Sequence, residues 1–76
     1  MHHPTIIFRK IAASGFADAC KDFPPASIAT QDFMQGITVD VTGRPVIVTF
    51  ERHLYTRRKA SWYAWLLHDA RYADEP

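Results

Sequence analysis

Residues 37–50 read ITVDVTGRPVIVTF, and their alternation decides the fold class. Ile37, Val39 and Val41 alternate with Thr38, Asp40 and Thr42, while Val46, Val48 and Phe50 alternate with Ile47, Thr49 and Glu51. A period of two is the spacing of a strand with one buried face, so the stretch is predicted to be a β-hairpin. Pairing Val41 with Val46 sets Val39 opposite Val48 and Ile37 opposite Phe50, which gathers both apolar sets on one face. Pro45 has no N–H to close a tight turn at Thr42-Gly43-Arg44-Pro45. A looser four-residue loop in the same register is therefore expected.

Working outward from the hairpin, Thr5–Ile11 (TIIFRKI) is rich in β-branched and aromatic residues and reads as a strand. Ser14 offers an N-cap oxygen to a short helix whose apolar stripe is Phe16, Ala19, Cys20 and Phe23, and Pro24-Pro25 ends it. Residues Ser27–Gln35 read as a second short helix, stopped by Gly36. Ser61 caps a closing helix that runs to about Ala73, with Trp62, Leu66, Ala70 and Ala73 along one side. The expected order is β-α-(α)-β-β-α. That is a two-layer α+β fold in which helices cover one face of a three-stranded, mostly antiparallel sheet.

Seventy-six residues make a single domain, 1–76, because so short a chain cannot enclose two cores. With 47% hydrophobic and 22% charged residues, the chain is too apolar for intrinsic disorder. Cys20 is the one cysteine, which excludes a disulfide scaffold. No apolar run approaches the roughly 20 residues that span a bilayer, and Arg9-Lys10 follow Ile6-Ile7-Phe8 where a leader would have them precede it. A small cytoplasmic protein is expected.

The net charge of +1 conceals a segregated pattern, with +4 concentrated in residues 44–59 and −2 in residues 60–76. Arg57-Arg58-Lys59 would lie at the N-terminus of the closing helix, an anion-attracting position beside free backbone N–H groups. Trp65, His68 and Tyr72, at i, i+3 and i+7, would form the opposite side of that helix from Trp62 and Leu66. A thin domain cannot bury aromatics on both sides, and aromatic anchors are what binding hot spots favour. The leading expectation is a non-enzymatic protein-binding module, a small regulator or inhibitor. Trp65, His68 and Tyr72 would anchor it, and Arg57, Arg58 and Lys59 would meet an acidic patch on a partner or on a second copy in a homodimer. Compact chains without catalytic motifs fit the accessory proteins of phages and plasmids, by association alone.

The rival is a nucleic-acid binder. A strand, two short helices and a hairpin follow the order of a winged-helix core without its first helix, which would make Ser27–Gln35 the recognition helix with Thr30, Gln31 and Gln35 as readers. That segment carries Asp32 and no cation, so phosphate contact would fall instead to Arg44, Arg52, Arg57, Arg58 and Lys59. A more remote reading is an enzyme built on Cys20, His53 and His68, although nothing in their spacing unites them and Cys20 lies on an apolar stripe. Met1-His2-His3 is capable of chelating copper or nickel through the amino terminus. No zinc spacing, phosphate loop or paired carboxylate is present, so no cofactor is implied.

Overall fold

The computed structural model describes residues 3–75. Two short helices, α1 (Pro4–Arg9) and α2 (Ala13–Cys20), precede three strands, β1 (Phe33–Val39), β2 (Pro45–Arg57) and β3 (Ala60–Tyr72). The strands form an antiparallel meander in the order β1-β2-β3, with α2 against β1 and α1 against β3. The fold is α+β, with helices layered on a three-stranded antiparallel sheet. The element order is α-α-β-β-β, however, and not β-α-(α)-β-β-α: the expected first strand is a helix, and the expected closing helix is a strand.

The exchange at the N-terminus has a packing cause. Pro4 stands at the start of α1, where its fixed φ suits a first helical turn. Ile7 and Ile11, four residues apart, then reach the core together, and Phe8 meets Phe16 edge-on at 6.1 Å. That burial outweighs the β preference of Ile6-Ile7-Phe8, and Ile6 is turned to solvent. In α2 the Phe16, Ala19, Cys20, Phe23 stripe faces the core as expected. Its N-cap is Ala12 without a side-chain bond, so Ser14 does not cap it. Residues 27–35 form no helix. The N–H groups of Ile28 and Ala29 both reach the Pro25 carbonyl, each at 3.1 Å, in one isolated turn, and β1 begins at Phe33.

The β1–β2 hairpin exists, but its register lies three residues from the expected one. Thr38 pairs with Val46, Gly36 with Val48 and Met34 with Phe50. An odd shift turns a strand over. Met34, Gly36 and Thr38 face the helices, and Phe33, Gln35, Ile37 and Val39 face away. Gly36 shows why. A Cβ built there would sit 1.7 Å from the Ala19 carbonyl oxygen, so the end of α2 rests directly on the β1 backbone. Only glycine permits so close an approach. It is a packing site, not a helix stop.

The loop between these strands is held by Asp40, which is buried. One carboxylate oxygen accepts the Thr42 N–H (2.8 Å), the Arg44 N–H (3.0 Å) and the Thr42 hydroxyl, and the other accepts the Tyr72 hydroxyl (2.9 Å). Gly43, at φ 88°, completes the bend, and Pro45 opens β2. The core consists of Ile7, Ile11, Ala19, Val46, Val48, Phe50, Ala70 and Tyr72.

In β3 a bulge interrupts the ladder. Asp69 pairs with Thr49 and Leu67 with Phe50, which leaves His68 as the extra residue. Tyr63, Trp65 and Leu67 therefore share the side of Ala70 and Tyr72, although their numbers alternate the other way. Beyond Glu51 the hairpin of β2 and β3 has no third strand and projects as an arm. Thirteen residues of strand span roughly 40 Å, which accounts for the 42 × 23 × 22 Å dimensions.

Candidate functional site

The sheet has one helix-covered face and one open face. Along the open face run Phe33, Ile37 and Val39 of β1, Ile47, His53 and Tyr55 of β2, and Trp62 and Leu66 of β3. Ile37 is 68% exposed, Val39 52% and Phe33 49%. Phe33 lies 4.9 Å from the His68 ring. Farther along the arm Tyr55 stacks on Trp62 with centroids 5.8 Å apart, and His53 meets Tyr55 edge-on at 4.6 Å. These apolar side chains fall into two groups, Ile37, Val39 and Ile47 at the loop end and Phe33, Leu66, Tyr55 and Trp62 toward the arm, separated by a polar row in which the Gln35 amide donates to the Thr49 hydroxyl (3.3 Å) beside Asp69.

The arm ends in Arg57-Arg58-Lys59-Ala60. Arg58 has φ 54° while Lys59 is not left-handed, the pattern of a type II′ turn whose first central residue is normally glycine. Arg57, Arg58, Lys59, Ala60 and Trp62 line a shallow open depression. All three cations are exposed, and none forms an ion pair among the described residues. They stand at the tip of a hairpin, not at a helix N-terminus, so no helix macrodipole acts on them. Single exposed charges contribute little, but three beside an indole attract carboxylate or phosphate and hasten encounter.

The other expected contact residues are dispersed. Trp65, His68 and Tyr72 share no helical face, because the segment is a strand. Tyr72 is 8% exposed, bonded to Asp40 and covered by the Arg44 guanidinium at 3.6 Å. Trp65 is half-buried, donates its indole N–H to the Pro24 carbonyl (3.0 Å) and meets Phe23 at 5.4 Å. These two rings are occupied internally. His68 alone of the three lies on the open side, against Phe33.

The expected five-cation set also divides. Arg44 sits at the opposite end of β2 from the tip, bidentate on Asp74 and 3.2 Å from Glu75. Hydrogen bonds to Asp74 and the charges of Asp74 and Glu75 hold its guanidinium above the usual arginine range, and the same contact lowers the Asp74 carboxyl. Arg52 donates through Nε to the Ala26 carbonyl (2.7 Å) and lies 3.5 Å over the Tyr63 ring, so it clamps the 24–32 loop to the arm. The Asp40 carboxyl is drawn down to about 2, chiefly by the Thr42 hydroxyl, against the effect of burial. Burial, and then the bond to Asp40, raise the Tyr72 phenol.

Cys20 faces the core from α2 and donates Sγ–H to the Phe16 carbonyl (3.3 Å), whereas His53 and His68 lie on the open side. The sheet separates the thiol from both imidazoles. Among the described residues no group of three His, Cys, Asp or Glu side chains is placed to hold a metal. The chelate expected at Met1-His2-His3 depends on residues 1 and 2, which lie outside the described residues. No helix among the described residues is long and apolar enough to cross a membrane.

Of the open-face side chains the sequence points to His68 as a contact, but not to Phe33, Ile37, Val39, Trp62 or Leu66. Ile37 and Val39 form an alternating pair that the expected register turns inward. The signal for the true orientation is the small residue just before them, Gly36, in phase with Met34 and Thr38. Comparison with known protein families, curated proteins and solved structures found no match.

Proposed function

We propose that this chain is a non-enzymatic protein-binding module, a small cytoplasmic regulator or inhibitor, and that it docks through the open face of its sheet. The supporting observation is the orientation of β1, which turns Phe33, Ile37 and Val39 to solvent while placing Gly36 and Thr38 inward. The partner this surface fits is a protein with an apolar patch flanked by acidic side chains. Phe33, Ile37, Leu66 and Trp62 supply the anchors, with His68 at their edge, in place of Trp65 and Tyr72. Arg57, Arg58 and Lys59 select the partner and speed its approach.

Affinity capture from host lysate tests this reading, using the wild-type chain and an Ile37→Glu, Leu66→Glu variant, before and after nuclease treatment. A protein held by the wild type after nuclease and at high salt, and lost from the variant, is the expected result. Retention by the variant, or loss on nuclease treatment, overturns it.

The exposed tip cations beside the Tyr55–Trp62 stack favour a second reading, nucleic-acid binding by the arm. The winged-helix route to it is gone, since residues 27–35 form no recognition helix. With Arg44 and Arg52 engaged elsewhere, three cations remain. Three phosphate contacts on a single strand give a log–log salt slope of about −2.1, or a loss of about 18-fold in affinity from 50 to 200 mM salt. Anisotropy titration of a labelled 20-nucleotide strand at these about 50 and 200 mM salt conditions separates the readings. Tight binding with that slope supports the arm as a nucleic-acid contact.

A further inference from the structure

One edge of the sheet is β1, seven residues long; the other is β3, with thirteen. From Ala60 to Leu67 the β3 edge reads ASWYAWLL, without a charge, a proline or a glycine. Natural edges are guarded by lysines, prolines, bulges or covering segments, and this stretch has none of them until the bulge at His68. Its inner row of backbone groups pairs with β2, and among the described residues no segment bonds the outer row. Trp62, Tyr63, Leu66 and Leu67 all expose large apolar surface along the same stretch.

We propose that two copies of this chain associate through β3, antiparallel, over Ala60–Leu67, to form a continuous six-stranded sheet. This is independent of whether the open face takes a partner. Three observations indicate a second copy as the occupant. First, a strand paired antiparallel about a two-fold axis is its own complement, and β3 is already ordered by β2, whereas a free peptide would first lose its conformational freedom. Second, the charges fit. Centred on Tyr63, the pairing lays the Arg57-Arg58-Lys59 turn of each copy beside residues 67–69 of the other, and Asp69 is the one carboxylate of β3. The uncharged middle brings no like charges together. Third, the two-fold axis puts both open faces on the same side, joining them into one surface.

The test uses the full chain and sedimentation from micromolar to millimolar concentration, together with amide hydrogen exchange. A concentration-dependent dimer is expected, with every second amide between Ser61 and Leu67 gaining protection as it forms. Tyr63→Glu sets two carboxylates near the two-fold axis while leaving Arg52 a partner in the single chain. It should raise the dissociation constant at least about tenfold with an unchanged thermal melt. A chain that stays monomeric to millimolar concentration overturns the proposal. So does a dimer whose alternate β3 amides stay unprotected, since that association uses another surface. The exchange pattern needs no variant, so the proposal stays testable even if Tyr63→Glu does not fold.

Discussion

The two faces of this sheet are built from opposite principles. On the covered face β1 supplies Met34, Gly36 and Thr38, and the volume comes from Val46, Val48, Phe50, Ala70 and Tyr72 on the other strands. On the open face β1 supplies Phe33, Ile37 and Val39, the residues a hydrophobicity argument would place inside. Small inward residues let α2 come down onto the strand; large outward ones remain in solvent. The contrast teaches that close approach, not side-chain apolarity, set the orientation of β1.

The sharpest way to break this comparison is to add one carbon to the covered side. Gly36→Ala places a methyl carbon within van der Waals overlap of the Ala19 carbonyl and should cost at least about 3 kcal/mol. Urea unfolding measures this, and a change below about 1 kcal/mol would show that α2 is not seated there. Next comes a pair of matched substitutions. Val48→Thr introduces a hydroxyl into the sealed interior, where Val48 has no exposure, and should cost about 2 kcal/mol.

The Asp40 clasp ties the β1–β2 loop to Tyr72 of β3, and acid should open it. Its folded carboxyl is lowered from 3.8 to about 2, and Asp74 is also lowered, by Arg44. Groups depressed in the folded state contribute stability that is complete above their unfolded pKa and is lost as pH falls through the folded one. Thermal midpoints should therefore hold above about pH 4 and drop between about pH 4 and 2. Asp40→Asn should flatten that part of the profile.

What the residues themselves make legible divides the same way. The hairpin, the Pro45-loosened loop, the α2 stripe and the interior position of Cys20 were legible because each rests on a local pattern. The register was not, because Ile37 and Val39 satisfy the alternation equally well on either side, and Gly36 chooses between them only through a helix distant in sequence. Residues 61–73 were misread for a different reason. Trp62, Leu66 and Ala70 recur at helical spacing, yet β3 carries large residues on both sides, and the extra residue at His68 erases the period of two. Ile7 of α1 and Ile11 just beyond it fit a helix as well as a strand, and only burial decides. The candidate site was legible in part. The basic cluster at Arg57, Arg58 and Lys59 was seen, but its place at the end of an arm depends on β3 being a strand.

Two smaller effects sharpen the comparison. Arg58→Gly relieves the left-handed backbone at the tip and should stabilise the chain by about 1 kcal/mol. Thermal denaturation reads it, and a destabilised variant would show that the arginine side chain matters more than the turn. Val39→Thr, the open-face counterpart of Val48→Thr, should shift stability by no more than about 0.5 kcal/mol, with any loss appearing in partner capture. Equal costs for the two valine substitutions would dissolve the distinction between the faces.

The bulge in β3 has a consequence for how this chain tolerates changes of length. Removing any residue between Ala60 and Leu67 would exchange inside for outside along part of the arm. Removing His68 would not: Asp69 would keep Thr49, Leu67 would keep Phe50, and every other side chain would retain its side. What would change is the local bend and twist that an inserted residue imposes. A one-codon deletion there would therefore re-aim the arm relative to the body and leave its chemistry intact.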